Sequence, residues 1–550
     1  MMIKRFLSVC LFAFFFQMPS YAQFNLIKDF DGTELSSFHL YYSGIVYATG
    51  DKVIVQYDSI EAGHYVSKSV LASINKSGKR EFIISVTTDM NDHSRNFFFD
   101  FKTLKDGRVV FVAEQSATSA NIIITDGTSS GTTTLYTGSE MIQGLEVMND
   151  NLYFTYDGLS FHSLKKIDMT TLQVSEVIEL GSFRKISGIS NVSNTAMIFI
   201  APDVTENNKV KLYVSDGTAS GTNVLAELLD SGIEEPQNTV MTRVGNKVYF
   251  FYKRPGEDCC NDLWVTDGTI AGTKKLKEFN TIYYSDFVKE KKAIGFNDKF
   301  YFSGVETGTR ISTNEVLWVS DGTTEGTIAL TDADESMSPR NLMVFNNSLY
   351  FIAFDGSVYN NKLHKTDGTV AGTHVVDITY NTHILSISSM AADADYIYLG
   401  AVNVNASFWS ALFRFNGSKL DVDILDDEKI IDVPKNLYVN GSDVYFTANV
   451  HGTGEELYTM GGDFISSNVT STKSAAFHSC TLYPNPASSH ITVKTAQQIK
   501  SLRLINQFGN VLLETNENTI PLESYSEGMY FVNIQLQNGE TAFEKIMIVK

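Results

Sequence analysis

A short motif recurs along this chain and limits what it can fold into. An apolar run is followed by Asp-Gly-Thr, two variable residues and a second Gly-Thr. In each copy the Asp carboxylate can accept hydrogen bonds from backbone N–H groups a few residues ahead, and each Gly can adopt a positive φ. The motif therefore predicts a strand, a tight turn and a second strand. Its five copies predict a repeat protein.

The Asp-Gly pairs of the five turns are predicted to have a structural role. They are Asp126 and Gly127, Asp216 and Gly217, Asp267 and Gly268, Asp321 and Gly322, and Asp367 and Gly368. Successive Asp positions lie 46 to 54 residues apart, except for one interval of 90 that fits two units. Apolar segments such as Leu152-Tyr153-Phe154 precede the turns and lack alternation, which predicts strands covered on both faces. Four strands in each unit at this period are typical of a propeller.

The predicted fold is all-β, a large propeller over residues 23–465. A tally gives nine units, whereas propellers usually have four to eight. We therefore favour eight four-stranded blades within a range of seven to nine. The last unit has three strands, and residues 26–30 are predicted to supply the fourth and to cover the open edge.

Residues 1–22 are predicted to be a signal peptide. Lys4 and Arg5 form a charged start, residues 6–16 an apolar core and residues 20–22 a cleavage site with small residues. No later apolar run is long enough for a membrane-spanning helix, so we expect no transmembrane segment in the mature chain. The formal charge of −20 argues against nucleic acid as a partner.

Cysteine usage argues against a disulfide-built scaffold, since only Cys259, Cys260 and Cys480 follow the predicted signal peptide. Cys259 and Cys260 are adjacent. They are either a strained vicinal disulfide or two thiols.

The C-terminal segment differs from the repeats. Residues 466–480 are rich in Ser and Thr, which predicts a linker, and residues 481–550 contain short strands typical of a small β-sandwich. Pro484, Asn485 and Pro486, followed by Ile491-Thr492-Val493, resemble the start of the type A C-terminal sorting domain of the Bacteroidota type IX secretion system. This resemblance implies an Ig-like sandwich, type IX secretion machinery as a partner, and a product that is extracellular or anchored at the outer-membrane surface.

The turn motif itself, most complete at Leu317-Trp318-Val319-Ser320-Asp321, resembles the "ELWVSDGTxxGT", or hyalin-like, repeats of secreted bacterial proteins. The resemblance implies a propeller and an extracellular location. It does not imply a reaction.

The sequence carries no recognised catalytic signature. No stretch has the ligand order of an EF-hand, the paired spacing of a zinc site, a Gly-x-Ser-x-Gly elbow or a phosphate loop. We therefore predict no catalytic residue, no metal site and no cofactor. Ligand binding is instead expected in the loops between second and third strands, which differ in length and content. The candidates there are Arg254, Glu257, Arg310, Tyr359 and Trp409.

These observations favour a secreted or cell-surface binding and adhesion module whose ligand is a glycan or a protein. The main alternative is a propeller glycoside hydrolase or polysaccharide lyase, which requires a cluster of carboxylates, His or Arg with shifted pKa values at the mouth of the central channel. A structural surface-layer role is a third possibility.

Overall fold

A computed structural model describes the chain over these ranges: 25–28, 44–49, 52–59, 68–75, 79–87, 98–116, 119–139, 141–157, 162–180, 187–203, 206, 209–229, 239, 241–253, 260–280, 291–307, 315–331, 337–354, 361–380, 383–403, 410–418, 420–423, 433–441, 443–449, 455–460, 480–495, 498–506, 511–537 and 541–549. Its regular elements over these ranges are β-strands. The same ranges contain no helix long and apolar enough to cross a membrane. The chain divides into two compact units, with the boundary between Phe464 and Ile465.

The first unit consists of consecutive antiparallel sheets, numbered here along the chain. Sheet 1 contains β2 (Gly44–Thr49), β3 (Lys52–Ser59), β4 (Lys68–Asn75) and β5 (Arg80–Thr87); sheet 2 contains β6 (Phe98–Thr103), β7 (Val109–Ser116), β8 (Ser119–Thr125) and β9 (Thr133–Thr137); sheet 3 contains β10 (Met141–Met148), β11 (Asn151–Asp157), β12 (His162–Asp168) and β13 (Val174–Glu179). Sheet 4 contains β14 (Ser187–Asn191), β15 (Met197–Asp203), β16 (Lys209–Ser215) and β17 (Asn223–Leu229); sheet 5 contains β18 (Met241–Val244), β19 (Lys247–Lys253), β20 (Cys260–Thr266) and β21 (Lys274–Asn280); sheet 6 contains β22 (Ala293–Phe296), β23 (Lys299–Gly304), β24 (Val316–Ser320) and β25 (Ile328–Ala329).

Sheet 7 repeats this four-strand pattern, whereas sheet 8 has a fifth strand and sheet 9 takes one strand from the N-terminal part of the chain. Sheet 7 contains β26 (Arg340–Phe345), β27 (Ser348–Phe354), β28 (Asn361–Thr366) and β29 (His374–Val375); sheet 8 contains β30 (Thr379–Tyr380), β31 (His383–Ala392), β32 (Ile397–Asn403), β33 (Ser410–Phe415) and β34 (Leu420–Asp423); sheet 9 contains β35 (Lys435–Asn440), β36 (Asp443–Asn449), β37 (Glu455–Met460) and β1 (Asn25–Lys28). Sheet 9 is thus completed by the strand nearest the N-terminus. Leu26 pairs with Tyr458, in the place where the sequence predicts a missing strand.

In sheets 3 and 6 a two-residue hairpin connects the first and second strands, because its central residues adopt left-handed backbone angles. Asn149 and Asp150 have φ values of 49° and 57°, and Asn297 and Asp298 repeat these values. Two consecutive residues with positive φ form a type I′ turn, whose twist matches the twist of the strands.

Among the described residues, nine apolar clusters join each sheet to the next. In one of them Ile54 and Leu71 of sheet 1 are buried with Phe98 and Phe111 of sheet 2, and equivalent clusters follow between each later pair. Tyr445 of sheet 9 is buried with the apolar residues of β3 and β4 in sheet 1. The second strands are therefore covered on both faces, which explains their unbroken apolar sequence.

The first strands of neighbouring sheets also contact one another. These strands are β2, β6, β10, β14, β18, β22, β26, β31 and β35, and the contacts run from β6 through each later first strand to β35, and from β35 to β2.

The second unit contains two sheets. One has the order β38 (Cys480–Tyr483), β39 (His490–Thr495), β42 (Thr519–Pro521), and the other has the order β41 (Val511–Thr515), β40 (Ile499–Asn506), β43 (Gly528–Leu536), β44 (Thr541–Ile548). Both sheets contribute to one apolar cluster, in which Ile491 and Ile520 are buried with Leu504 and Val532.

Candidate functional site

The repeated turn is held by one hydrogen-bond pattern. In sheet 6 the Asp321 carboxylate accepts bonds from Thr323 N (2.8 Å) and Thr323 Oγ1 (2.7 Å), and Gly326 N donates to Thr323 Oγ1 (2.8 Å). Ser320 Oγ lies 2.8 Å from Thr327 Oγ1 and joins the two ends of the turn. The same pattern holds the turns that begin at Asp126, Asp216, Asp267 and Asp367. The Ser or Thr before each Asp, which sequence analysis did not single out, is part of this pattern.

Each glycine of the turn has a separate steric reason. A Cβ atom on Gly326 would overlap the Asp321 carboxylate, so the second glycine leaves room for that side chain. Gly368, the first glycine of its turn, has a φ of 89°, and a Cβ there would overlap the Tyr301 hydroxyl of the preceding sheet. A Cβ atom on Gly217 would likewise overlap the hydroxyl of Tyr153 in the preceding sheet.

Neighbouring sheets are linked at these turns. Lys247 Nζ of sheet 5 donates to the carbonyl oxygen of Asp321 in sheet 6 (2.9 Å), and Lys52 Nζ of sheet 1 donates to Gly127 O in sheet 2 (3.1 Å). Burial raises the pKa of Tyr249 to about 12, and the negative charge of Asp321 contributes to this increase. We call the end of the sheets that carries these turns the turn end. Many of its polar groups are therefore hydrogen-bonded within the protein.

Four of the turn carboxylates are more acidic than usual. The Thr hydroxyl in each turn lowers the pKa of Asp126, Asp216, Asp321 and Asp367 below the ordinary value. A carboxyl whose pKa is lowered by folding adds stability above its unfolded pKa, and that stability is lost as the pH falls through the folded pKa.

We expect Asp321→Ala to lower the free energy of unfolding by about 1 kcal/mol at pH 7, because two bonds from Thr323 lose their acceptor. Asp321→Asn keeps the acceptor oxygen but loses the charge, so it should lose less stability than Asp321→Ala at pH 7 and show a smaller further loss below about pH 4. Asn416 already uses this chemistry in sheet 8, since its Oδ1 accepts from Ser418 N at 3.0 Å. Thermal unfolding from pH 3 to 7 measures both effects. If the Asp321→Asn variant and the parent chain lost the same stability in acid, the Asp321 carboxylate would not be a source of the acid-sensitive stability.

The five predicted ligand-binding residues, Arg254, Glu257, Arg310, Tyr359 and Trp409, lie outside the described residues. Cys259 also lies outside them, while Cys260 begins β20. The two tryptophans of the repeats contribute to the apolar clusters between sheets, Trp318 between sheets 5 and 6 and Trp264 between sheets 4 and 5. Trp318 is buried and donates from Nε1 to Gly304 O (3.2 Å), and Trp264 stacks on Phe250.

Sequence analysis missed a group of polar side chains on three consecutive first strands. Lys102 Nζ lies 3.3 Å from the Asp100 carboxylate on the same strand and 3.8 Å from the Glu146 carboxylate in sheet 3. Asn191 of sheet 4 donates from Nδ2 to Glu146 Oε1 at 2.9 Å and to Val147 O at 2.6 Å. We call Asp100, Lys102, Glu146 and Asn191 the first-strand cluster.

Backbone bulges shape this cluster. The pairing of β6 with β7 shifts between Phe99 and Lys102, and Asp100 at the bulge has a φ of 55°. The bulge directs the Asp100 carboxylate to the backbone N–H of Leu145 in sheet 3. Bulges often redirect a side chain in this way next to functional sites.

Burial raises the pKa of Glu146, although Lys102 opposes the change. A carboxyl in this setting stays protonated to a higher pH than one in water. Solvent reaches Glu146, since 15% of its side chain is exposed. Over the described residues, no group of three His, Cys, Asp or Glu side chains is arranged to hold a metal ion.

In the second unit, the predicted sorting motif is fixed to the last strand. Asn485 Oδ1 accepts a bond from Met547 N (2.9 Å), and Ala487 N donates to Met547 O (2.8 Å). The peptide bonds that precede Pro484 and Pro486 are cis. The motif and the C-terminal strand β44 therefore form one local structure.

Comparison with solved structures finds matches at low identity, one of which is a β-propeller domain. The β-propeller domain of the Trilobed protease from Pyrococcus furiosus is 12% identical, with a TM-score of 0.32, and the match covers 70% of this chain and 98% of that one. Porphyromonas gingivalis dipeptidyl peptidase 4 is 9% identical, with a TM-score of 0.43 and coverage of 75% and 65%. An oligogalacturonate lyase in complex with manganese is 12% identical, with a TM-score of 0.34 and coverage of 75% and 98%. These values carry no inference about the activity of this chain.

No curated protein matches the chain. Residues 481–549 match the family described as the secretion system C-terminal sorting domain. This match agrees with the resemblance to type IX sorting domains drawn from Pro484, Asn485 and Pro486. Because this domain marks proteins that are exported across the outer membrane, the protein is secreted or anchored at the outer-membrane surface.

Proposed function

We propose that this protein is a surface-delivered β-propeller that binds an extracellular glycan or protein. In this proposal the nine sheets of the first unit form a closed ring, one blade more than the eight that the sequence favours and within its range of seven to nine. Residues 1–22 are the signal that starts export. The tail is an Ig-like sandwich read by the type IX secretion machinery. The apolar cluster between sheets 9 and 1 supports closure, since it repeats the clusters between all other neighbours.

The observation that carries the binding proposal is the difference between the two ends of the sheets. At the turn end, the carboxylates and hydroxyls of five turns are bonded to their own backbone, and lysines bond to the adjacent sheet. In this proposal the opposite end, called the loop end here, carries the segments 253–262, 306–315, 355–361 and 403–410, which range from seven to ten residues and differ in composition. Variable loops on a rigid scaffold are the usual place for recognition.

The binding proposal is tested with the mature chain on glycan and protein arrays. We expect a ligand whose affinity falls at least roughly tenfold when Arg254, Glu257, Arg310, Tyr359 and Trp409 are all replaced by Ala. The matched control is Ile270→Ser with Val370→Ser, two turn-end side chains that are 72% and 60% exposed. Equal loss in the control, or unchanged binding in the loop variant, would contradict a loop-end site.

The alternative, a glycoside hydrolase or polysaccharide lyase, is favoured by one observation. The pKa of Glu146 is raised, as expected of a group that donates a proton. Lys102 contacts the carboxylates of both Glu146 and Asp100, so the two carboxylates are near each other. Each ligand found on the arrays should therefore be assayed for turnover. Turnover that Glu146→Gln abolishes would replace the binding proposal with the enzymatic one.

A further inference from the structure

The exposed apolar side chains of the second unit are unevenly placed. Over the part of that unit that the structure describes, the large apolar residues that are exposed are Leu512, Tyr483, Met547 and Val549. Leu512 lies on β41, at one edge of its sheet, and Met547 lies on β44, at the opposite edge. Tyr483 and Val549 are neighbours in sequence of the sorting motif and of β44, so three of the four residues belong to the structure that the motif forms with the C-terminal strand.

Hydrogen bonds hold the two segments of this structure together. Met547 N donates to Asn485 Oδ1 (2.9 Å), and Val549 N donates to Ala487 O (2.8 Å). Ala487 is itself buried in the apolar cluster of the second unit. The sorting motif and the end of β44 are therefore fixed to each other and to the core beneath them.

The side chains on this structure form an accessible apolar surface. Tyr483 is 52% exposed, Met547 39% and Val549 43%. The two prolines of the motif are exposed as well. We call this surface the tail patch, and its residues are Tyr483, Pro484, Pro486, Met547 and Val549. Exposed apolar surface of this kind on a small domain is typical of a place where another molecule binds.

Packing within the unit does not explain why these positions are apolar. Ile546 and Ile548 of β44 are fully buried in the core, whereas Met547 between them is on the other face of the strand and is exposed. Successive side chains of a strand alternate in this way, and the solvent side of such a strand is commonly polar. Met547 therefore adds little to the core, and its apolar side chain is available to a partner.

A partner at the tail patch has to contact side chains rather than extend the sheet. An edge strand such as β44 can bind an added strand through backbone N–H and C=O groups that are not yet paired. At Met547 both groups are already bonded, the N–H to Asn485 Oδ1 and the C=O to Ala487 N (2.8 Å). The sorting motif thus covers this end of the edge, and recognition there depends on the apolar side chains.

The family match identifies the kind of partner. Residues 481–549 match a secretion system sorting domain, and a domain that directs export has to be bound by a protein of the export machinery. We propose that the tail patch is the docking surface for a protein of the type IX secretion machinery, which presents an apolar pocket to it. This proposal rests on type IX export, a part of the function proposed above, and adds the surface that is recognised.

The test follows export of the full chain in a bacterium that has a type IX secretion system. In the polar variant, Tyr483→Thr, Met547→Gln and Val549→Thr are combined. We expect the amount of protein outside the outer membrane to fall at least roughly threefold, with the chain accumulating in the periplasm. Because the three side chains are exposed, the fold should be retained, and amide hydrogen exchange of β40 and β43 in the purified full chain checks this. Each single substitution is measured as well, so the test stands even if the triple variant fails to fold.

Two controls separate the tail patch from other causes of lost export. Leu512→Gln removes an apolar side chain that is 38% exposed, close to the 39% of Met547, at the opposite edge of the same sheet. Its export should equal that of the parent chain. The apolar variant combines Tyr483→Phe, Met547→Leu and Val549→Ile, which keep the patch apolar, and its export should also equal that of the parent.

Normal export of the polar variants would overturn the proposal. An equal loss in Leu512→Gln, or in the apolar variant, would also overturn it, because the loss would then not depend on an apolar surface at this place. A chain that lacks residues 481–550 distinguishes the two proposals. If that chain is still exported, the tail does not direct export and both proposals are wrong; if it stays in the periplasm while the polar variants are exported normally, only the tail patch is wrong.

Discussion

Replacing Gly368 by Ala is expected to lower the free energy of unfolding by about 2–4 kcal/mol. The backbone φ of 89° disfavours any residue with a Cβ, and the added methyl group would overlap the Tyr301 hydroxyl of the adjacent sheet. The next Tyr301 atom, Cζ, lies 3.4 Å from that position. Tyr301→Phe should therefore relieve most of the overlap, and the double variant should be more stable than Gly368→Ala alone. Chemical unfolding of the four proteins of this cycle measures the coupling.

Gly107 provides the matched control. Its φ is 84°, but a Cβ there would have no atom within 4 Å. Gly107→Ala should cost only the backbone term, about 1–2 kcal/mol. If both glycine variants lose the same stability, and Tyr301→Phe rescues nothing, the link between the turn and the preceding sheet is wrong.

Replacing residues 25–28 by Gly-Ser-Gly-Ser is expected to cost roughly 3 kcal/mol, from about three backbone hydrogen bonds at about 1 kcal/mol each. The replacement keeps the chain length and removes the strand that pairs with β37. Strand β37 would then be an open edge, which favours association between chains. Amide hydrogen exchange of residues 455–460 should become faster, and light scattering of the mature chain should increase on heating.

The same replacement at residues 468–471, within the predicted linker, is the control for this experiment. It should leave both the stability and the exchange of β37 unchanged. Unaltered exchange of β37 in the variant without β1 would show that the N-terminal strand does not complete sheet 9.

Local features of the fold were predictable from the sequence because each is determined by residues that are consecutive in the chain. The Asp321 turn needs only its own Thr and Gly neighbours, and an apolar run such as Leu152-Tyr153-Phe154 indicates a strand buried on both faces. The role of the N-terminal strand was also predictable, since the last unit lacked one strand. The lengths of strands were less predictable. The motif predicts a strand after each turn, but after the Asp367 turn β29 spans only His374–Val375.

Contacts between sheets were not predictable, because their residues are far apart in the sequence and share no motif. Asn191 lies 45 positions from Glu146. Asp100 belongs to the first-strand cluster because of a bulge in β6, and no turn residue in the sequence predicts that bulge. The pairing of Gly368 with Tyr301 likewise depends on how one sheet packs against the next. The predicted ligand-binding residues at the loop end stay a prediction.

A crystal structure of the mature protein tests the central claim most directly. The account predicts nine antiparallel sheets around one axis, with residues 25–28 in the last sheet and Tyr445 packed against Val53 and Val55 of the first. An open arc, or a ring in which sheets 9 and 1 do not touch, would contradict it.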